Sequence, residues 1–320
     1  MGLWDGVTDA LRVYLRAEGL REVATPTVID APAVEPYIEP SRIGVRFLRT
    51  SPELALKRLL CHGSGSIYEL AAVFREGESG PHHLPEFHLL EWYRVGASLR
   101  RTMTDVESMV AAARQLGGGV APRWRVVSLL ERMGEDLGRP LRGDESAGDL
   151  APLLARVSSL AAVALRRREA TSSEESVARL EAWTELYTLW STRMFDPWLR
   201  ALGPDHAVHL VAFPAPLAAL SQVLDGVAQR FESFVGGVEL ANGYLELADP
   251  TEQRRRFEAV NGLRGRAGAQ PLPVDEAFLA DLRHPGLPDC AGVALGMDRL
   301  VMVAAAATSL AEIRYLPDRA

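Results

Sequence analysis

Residues 229–247 (QRFESFVGGVELANGYLEL) contain a glycine pair that is preceded by Glu232 and followed by Glu239. Gly236-Gly237 between two β-prone runs predicts a two-residue β-hairpin. In the simplest register Glu232 pairs with Ala241, so Glu232 and Glu239 project from the same face as diagonal neighbours, roughly 7–8 Å apart. Two carboxylates so placed could hold a hard divalent cation that also binds phosphate oxygens, as Mg²⁺ does.

The residues that follow decide between two interpretations of this hairpin. Carboxylates on a strand more often form a solvated face than a metal site. Here, however, a polar cluster (Asn242, Gly243 and Glu246) lies within a leucine-rich strand. That pattern is unusual for a plain surface hairpin and favours a binding site.

A second segment, Phe74 to Tyr93, pairs an arginine with an acidic and aromatic strand. Arg75 ends one predicted strand, and Glu91 and Tyr93 share one face of the next because they are two residues apart. This arrangement suits a site that grips an anion and a cation together. The nearby histidines and acids match no zinc-binding spacing such as HExxH, so a zinc site is disfavoured.

The third segment, Gly292 to Arg299 (GVALGMDR), combines glycines with an arginine. Glycines let a ligand approach the backbone, and an arginine on the following helix could meet a phosphate. Taken alone, this segment is weak evidence for a binding site, because most glycine-rich turns between a strand and a helix only connect the two elements.

Hydrophobic periodicity predicts the elements that must position these residues. Helices are predicted at 3–18, 54–61, 252–263 and 273–282, and a mostly helical stretch at 104–198. Strands are predicted at 20–28 (broken by Pro26), 66–75, 86–95, 207–213, 229–235 and 238–247, and the chain ends in a strand, a glycine turn and an apolar helix. Hairpins outnumber βαβ units, which favours an α+β fold with an antiparallel sheet flanked by helices.

Composition excludes several classes of function. The 320 residues carry a net charge of −7, which argues against broad electrostatic capture of nucleic acid. The sequence has neither a signal peptide nor an apolar run long enough to span a bilayer. Cys61 and Cys290 lack metal-ligand spacing, so reduced thiols and a cytoplasmic location are expected. Lys57 is the only lysine.

Motif by motif, the chain resembles the catalytic domain of class II lysyl-tRNA synthetases. Leu11 to Pro26 is similar to the first class II motif, Phe74 to Tyr93 to the second, and Gly296 to Arg299 to the third. The boxes at 50–60 (TSPELALKRLL) and 237–247 (GVELANGYLEL) resemble the lysine branch. The resemblance implies one class II catalytic domain over residues 1–320, with a mostly helical insertion at about 104–200.

The chain begins at the first motif, with no anticodon-binding domain before it, and is thereby similar to the elongation factor P–(R)-β-lysine ligase family. Members of that family adenylate β-lysine and transfer it to a lysine side chain of elongation factor P. The resemblance implies ATP and Mg²⁺ as cofactors, elongation factor P as the protein acceptor, lysine or β-lysine as the small-molecule substrate, and no tRNA. It also implies a homodimer through Leu11, Val13 and Leu15 on the first helix.

The same resemblance assigns roles to individual residues. Arg75 would bind the α-phosphate and Arg299 the γ-phosphate as the catalytic pair, with Glu232 and Glu239 carrying Mg²⁺. Substrate would be bound by Ser51, Pro52, Glu53, Glu91, Tyr93, Asn242, Glu246 and Ala294. ATP would be bound by Arg75, Glu76, Gly77, His83, Leu84, Glu239, Leu240, Gly296 and Arg299.

Three positions depart from the family pattern. Gly77 stands where the second motif has glutamate, Leu84 where it has asparagine, and Pro81 where the ligases tend to have a basic residue. Glu76 or Glu78 would then have to substitute. These departures leave two alternatives open: a ligase for another amine acceptor, or a catalytically silent regulatory subunit. Alanine at position 294, where lysyl-tRNA synthetases usually have glycine, implies a preference for β-lysine.

Overall fold

An eight-stranded, mostly antiparallel sheet forms the centre of the molecule. The computed structural model describes residues 2–158 and 175–314. The sheet has the order β1-β5-β6-β14-β13-β12-β8-β7, and only the edge pairs β1–β5 and β7–β8 are parallel. Its strands are β1 (Arg21–Glu22), β5 (Ile67–Phe74), β6 (Glu86–Val95), β7 (Arg123–Ser128), β8 (His206–Val211), β12 (Arg230–Val235), β13 (Val238–Leu245) and β14 (Cys290–Gly296).

Two small three-stranded sheets lie beside it. One contains β2 (Val28–Ile29), β3 (Arg42–Ile43) and β4 (Arg46–Leu48), and the other β9 (Phe213–Pro214), β10 (Val223–Leu224) and β11 (Val227–Ala228). The α-helices are α1 (Gly2–Ala17), α2 (Glu53–Cys61), α3 (Leu99–Leu116), α4 (Leu129–Leu137), α5 (Ala147–Val157), α6 (Glu175–Trp190), α7 (Asp196–Leu202), α8 (Pro250–Arg266), α9 (Glu276–Arg283) and α10 (Met297–Ala304).

The predicted fold class, an antiparallel sheet flanked by helices, is confirmed. The predicted strand at 86–95 is β6 with the same bounds. The predicted strand at 20–28 is wrong: it is two short pieces, β1 and β2, in different sheets, because Pro26 cannot donate to a continuous ladder.

The segment predicted to be mostly helical is helical over most of its described residues, but it contains the strand β7. β7 reads RWRVVS and pairs in parallel with β8 at the sheet edge, where tertiary pairing decides its conformation. Part of that prediction, residues 159–174, lies outside the described residues. Among the described helices, none is long and apolar enough to cross a membrane.

One side of the sheet packs on α1, α3 and α10. Val7, Leu11 and Leu15 repeat every four residues on α1 and are buried against this core. The expectation that Leu11, Val13 and Leu15 together face a second subunit is therefore wrong. Leu11 and Leu15 pack inside their own chain, and Val13 is 67% exposed on the opposite face.

A buried carboxylate holds α3 against β6 and α1. Asp105 accepts hydrogen bonds from Arg94 at 2.5 and 2.9 Å, from Trp92 Nε1 at 3.1 Å and from Tyr14 Oη at 2.8 Å. Its side chain is wholly buried and that of Arg94 is 9% exposed. The Asp105–Arg94 ion pair therefore has a structural role.

We predict that Asp105→Asn lowers the free energy of unfolding by about 3–5 kcal/mol, because the buried Arg94 guanidinium loses its nearest counter-charge and keeps only Glu18 at 3.4 Å. Chemical denaturation followed by circular dichroism measures the change. Asp144→Asn is the matched control, since its ion pair with Arg142 is exposed and should contribute about 1 kcal/mol or less. Equal effects of the two substitutions would contradict the prediction.

Candidate active site

A cavity of about 700 Å³ opens between the central strands, the loop before β3 and helices α6 and α8. Of the predicted site residues, all of which the structure describes, Pro52, Glu76, Gly77 and Glu232 lie outside its lining. The cavity brings together the other predicted residues: Ser51, Glu53, Arg75, His83, Leu84, Glu91, Tyr93, Glu239, Leu240, Asn242, Glu246, Ala294, Gly296 and Arg299. Three sequence segments that are far apart in the chain therefore meet at one site.

The β12–β13 hairpin has a bulge that the sequence did not predict. Phe234 pairs with Glu239 as expected, but Ser233 pairs with Ala241, which leaves Leu240 as the extra residue. Glu232 consequently faces Asn242, and its predicted pairing with Ala241 is wrong. Because the extra residue reverses the alternation, Glu239 comes to share a face with Asn242 instead of Ala241.

The two predicted metal ligands have different surroundings. Glu232 is buried, accepting a hydrogen bond from Tyr187 Oη at 2.5 Å and one from Arg230 at 2.6 Å. Glu239 is 43% exposed and lines the cavity. No group of three or more His, Cys, Asp or Glu within the described residues could hold a metal ion. Magnesium binding by Glu232 and Glu239 stays a prediction, and it requires Glu232 to exchange its present partners for the ion.

Two arginines that the sequence predicted, Arg75 and Arg299, line the cavity. The Arg75 guanidinium lies over the ring of Phe87 at 5.0 Å and contacts Glu78 at 3.5 Å. Arg299 donates to the backbone oxygens of His82 and Glu239 at 3.0 and 3.1 Å. These contacts fix both guanidinium groups while leaving each side chain nearly a quarter exposed. Such a pair can bind the phosphates of a nucleotide.

The loop of the second motif favours one substitute for its missing glutamate. Gly77 has φ +79°, and Glu78, the next residue, lines the cavity beside Arg75. Glu76 instead forms a backbone bridge with Glu39. Of the two substitutes, Glu78 is therefore the one placed to contact a ligand. On the same loop, burial and the charge of Arg299 lower the pKa of His83.

A cluster of three carboxylates (Glu53, Glu91 and Glu246), called here the acidic end, also lines the cavity. Glu53 begins α2, Glu91 lies on β6 and Glu246 directly follows β13. Ser51 Oγ donates to Glu91 at 2.6 Å and accepts from the Glu53 amide at 2.9 Å. Lys57 contacts Glu53 at 2.7 Å and Glu246 at 2.6 Å. Burial raises the pKa of Glu246, and the Lys57 ammonium opposes that shift.

Glu91 differs from the other two carboxylates in its partners. Its oxygens accept only from the hydroxyls of Ser51 and Tyr93, and among the described residues no cation lies within ion-pair distance of it. Burial, and then the charge on Glu53, raise the pKa of Glu91 to about 8, against the opposing effects of Ser51, Lys57 and Arg75. This end can therefore receive a ligand ammonium group.

Small residues on β14 let this end form. A Cβ on Gly292 would lie 2.3 Å from the Tyr93 ring and 2.4 Å from Glu246 Oε1, so only glycine permits this close approach. Ala294 pairs with Glu91 on one side and with Asn242 on the other, and all three line the cavity. The Asn242 Oδ1 atom is buried without a hydrogen-bond partner among the described residues. A bound ligand could supply that partner.

Sequence reasoning missed several charged residues in the lining, among them Glu35 and Arg230. Glu35 lies in the proline-rich loop 31–40, whose position depends on the buried Arg264 of α8, which donates to the backbone oxygens of Glu35 and Ile38. Arg230 lies between the rings of Phe213 and Tyr244. The loop of Glu35 carries no motif, whereas the alternation of Arg230 with Glu232 in the segment 229–247 was an available signal.

Comparison with known proteins agrees with this geometry. The model of the family "tRNA synthetases class II (D, K and N)" matches residues 3–320. The chain is 35% identical to the elongation factor P–(R)-β-lysine ligase of Pectobacterium carotovorum, covering 96% of this chain and 91% of the relative. It is also 35% identical to the ligase of that name from Edwardsiella ictaluri, covering 98% and 94% respectively. The chain therefore belongs to the class II tRNA synthetase family and, within it, to the elongation factor P–(R)-β-lysine ligases.

Proposed function

We propose that this protein activates (R)-β-lysine with ATP and transfers it to a lysine side chain of elongation factor P. The observation that carries the proposal is the composition of the cavity lining: two arginines, Arg75 and Arg299, and three carboxylates, Glu53, Glu91 and Glu246, lie in one cavity. A diamino acid bound there would place its distal ammonium among these carboxylates and its carboxylate towards Arg75. The names of the relatives support the choice of substrate and acceptor.

In the first step, a substrate carboxylate oxygen forms a bond to the α-phosphorus of ATP while the bond to the pyrophosphate oxygen breaks. Both reactants are anions, so Arg75 and Arg299 stabilise the charge that accumulates in the transition state. Magnesium, carried by ATP and held by Glu239 or by Glu232 and Glu239, would neutralise phosphate charge. In the second step, the acceptor amine attacks the acyl carbon and AMP leaves. No side-chain nucleophile is needed, because holding the reactants in a reactive orientation accelerates both steps.

Retention of both arginines and of the acidic end argues against a silent regulatory subunit. The acceptor contacts and the exclusion of tRNA remain parts of this proposal, supported by the names of the relatives and by the net charge of −7.

The first prediction concerns adenylation. We expect the protein to exchange pyrophosphate into ATP when (R)-β-lysine or lysine is present, and Arg75→Ala to slow this exchange by roughly 10²–10³-fold, the loss typical of one transition-state donor. Arg142→Ala, at an arginine whose side chain is 72% exposed, is the matched control. A folded wild-type protein without exchange would overturn the proposal, and a loss under about tenfold for Arg75→Ala would refute its α-phosphate role.

A second prediction concerns the proton on Glu91. With a pKa of about 8, the carboxyl of the empty site is mostly protonated at pH 7. A bound ammonium group favours the ionised form, so binding should release up to one proton at pH 7, and affinity should rise with pH towards 8. Calorimetry in two buffers of different ionisation enthalpy measures the release. Glu91→Gln should reduce it to the part that comes from Glu246, whose pKa burial raises to about 7, and an unchanged proton release in that variant would assign the proton elsewhere.

A third prediction concerns Ala294, whose methyl group lies between Glu91 and Asn242 in the lining. In (R)-β-lysine the amine is one carbon further from the carboxylate, so its α-carbon is slimmer where this methyl would press. We expect (R)-β-lysine to be preferred over α-lysine by roughly 10–200-fold in kcat/KM. Ala294→Gly should improve α-lysine selectively, whereas Ala291→Gly on the same strand should not. Equal changes for both substrates would show that Ala294 only packs.

A further inference from the structure

Lys57 lies directly behind the acidic end of the cavity. Its side chain is wholly buried, on the second turn of α2. The Nζ atom donates to Glu53 Oε1 at 2.7 Å and makes an ion pair with Glu246 Oε2 at 2.6 Å. Both glutamates line the cavity, whereas Lys57 does not. The ammonium thus contacts one oxygen of each carboxylate from the side away from the ligand.

A cation in this position reduces the repulsion between the two carboxylates. Two buried carboxylates that share one site repel each other, and one of them then takes up a proton and no longer attracts a cation. An ammonium between them lowers this repulsion, favours the ionised form of Glu246 against the effect of burial, and fixes the direction of both carboxylates, because its shortest contacts are with Oε1 of Glu53 and Oε2 of Glu246. Lys57 donates no hydrogen bond to the second oxygen of either carboxylate.

We propose that Lys57 is a positioning residue for the substrate: it links Glu53 to Glu246 and holds both carboxylates in place as receptors for the ammonium groups of a diamino acid. The proposal rests on the proposed function and adds a residue that does not itself touch the substrate. It also explains why three carboxylates can lie close together. Lys57 forms ion pairs with two of them, whereas Glu91 accepts hydrogen bonds from neutral hydroxyls and would pair with an ammonium group of the ligand.

The surroundings of Lys57 are consistent with a permanent charge. Besides Glu53 and Glu246, the charged or titratable groups that face it are Glu91 on β6 and the thiols of Cys61 on α2 and Cys290 on β14. The two carboxylates raise the pKa of Lys57 well above its usual range, although burial acts in the opposite direction. Lys57 therefore stays protonated at neutral pH.

Kinetics of Lys57→Met test this role, because methionine keeps the unbranched shape and removes the charge. We expect the KM for (R)-β-lysine in pyrophosphate exchange to rise by about 10- to 100-fold, as for a lost charge-assisted contact, while the KM for ATP changes little. Arg58→Met is the matched control on the same helix, since it breaks the partly exposed ion pair with Asp281 away from the cavity. In Lys57→Ala, added methylammonium or ethylammonium should restore part of the lost affinity.

An unchanged KM for (R)-β-lysine in a folded Lys57→Met protein would overturn the role of Lys57 and leave the proposed function intact. Absence of exchange in the wild-type protein would instead overturn the proposed function. Parallel rises in both KM values, without rescue by alkylammonium ions, would show that Lys57 only stabilises the fold.

Should these variants fail to fold, the wild-type protein supplies its own test. Because Lys57 is the only lysine, labelling with ¹³Cε,¹⁵Nζ-lysine gives a single side-chain signal. We expect this signal to stay that of an ammonium from pH 6 to 10 and to shift when unlabelled (R)-β-lysine binds, but not with ATP alone. A signal that titrates below pH 10, or that ignores (R)-β-lysine at saturating concentration, would refute the proposal.

Discussion

The concentration of negative charge at one buried end of the cavity is the constraint on which the site depends. Glu53, Glu91 and Glu246 are brought together at a largely buried position, and an unpaired buried charge costs several kcal/mol. The protein offsets part of this cost with Lys57 and part with the hydroxyls of Ser51 and Tyr93. Part of the cost remains, because burial raises the pKa of Glu91 to about 8 and that of Glu246 to about 7. The ammonium groups of a diamino ligand would reduce the electrostatic cost of burying these carboxylates. The site is therefore expected to bind such a ligand selectively.

The fold keeps these charges apart from those that stabilise it. Asp105 with Arg94 lies beneath α1, and Arg49 with Glu69 is likewise buried with its hydrogen bonds satisfied within the chain. Their partners are fixed and leave nothing for a ligand. In the cavity, by contrast, Asn242 Oδ1 has no partner and Glu91 has no cation. Among these groups, the satisfied ion pairs stabilise the fold, and the groups without a full set of partners line the cavity.

Much of the site could be predicted from the sequence because its residues belong to contiguous motifs. Arg75, Glu91 and Tyr93 share one hairpin, and alternation along a strand places the last two on one face without any tertiary information. The bulge at Leu240 could not be predicted, since Leu240 is an ordinary strand residue and the extra position is set by packing between β12 and β13. For the same reason β7 was missed: its strand conformation depends on pairing with β8, about 80 residues further along the chain.

Lys57 shows the limit of motif reasoning most clearly. Composition marks it as the only lysine, and its spacing of four residues from Glu53 predicts no more than an exposed helical ion pair, which contributes little. Only the fold brings Glu246, almost 190 residues away in the sequence, to the same ammonium and buries both Lys57 and Glu246. The interaction is then stronger than at a surface, because in a low dielectric the charge of Lys57 attracts both carboxylates and favours the ionised form of Glu246. A residue that appears ordinary in sequence thus decides whether the acidic end attracts a cation, and its importance follows from burial and from the second carboxylate, not from its residue type.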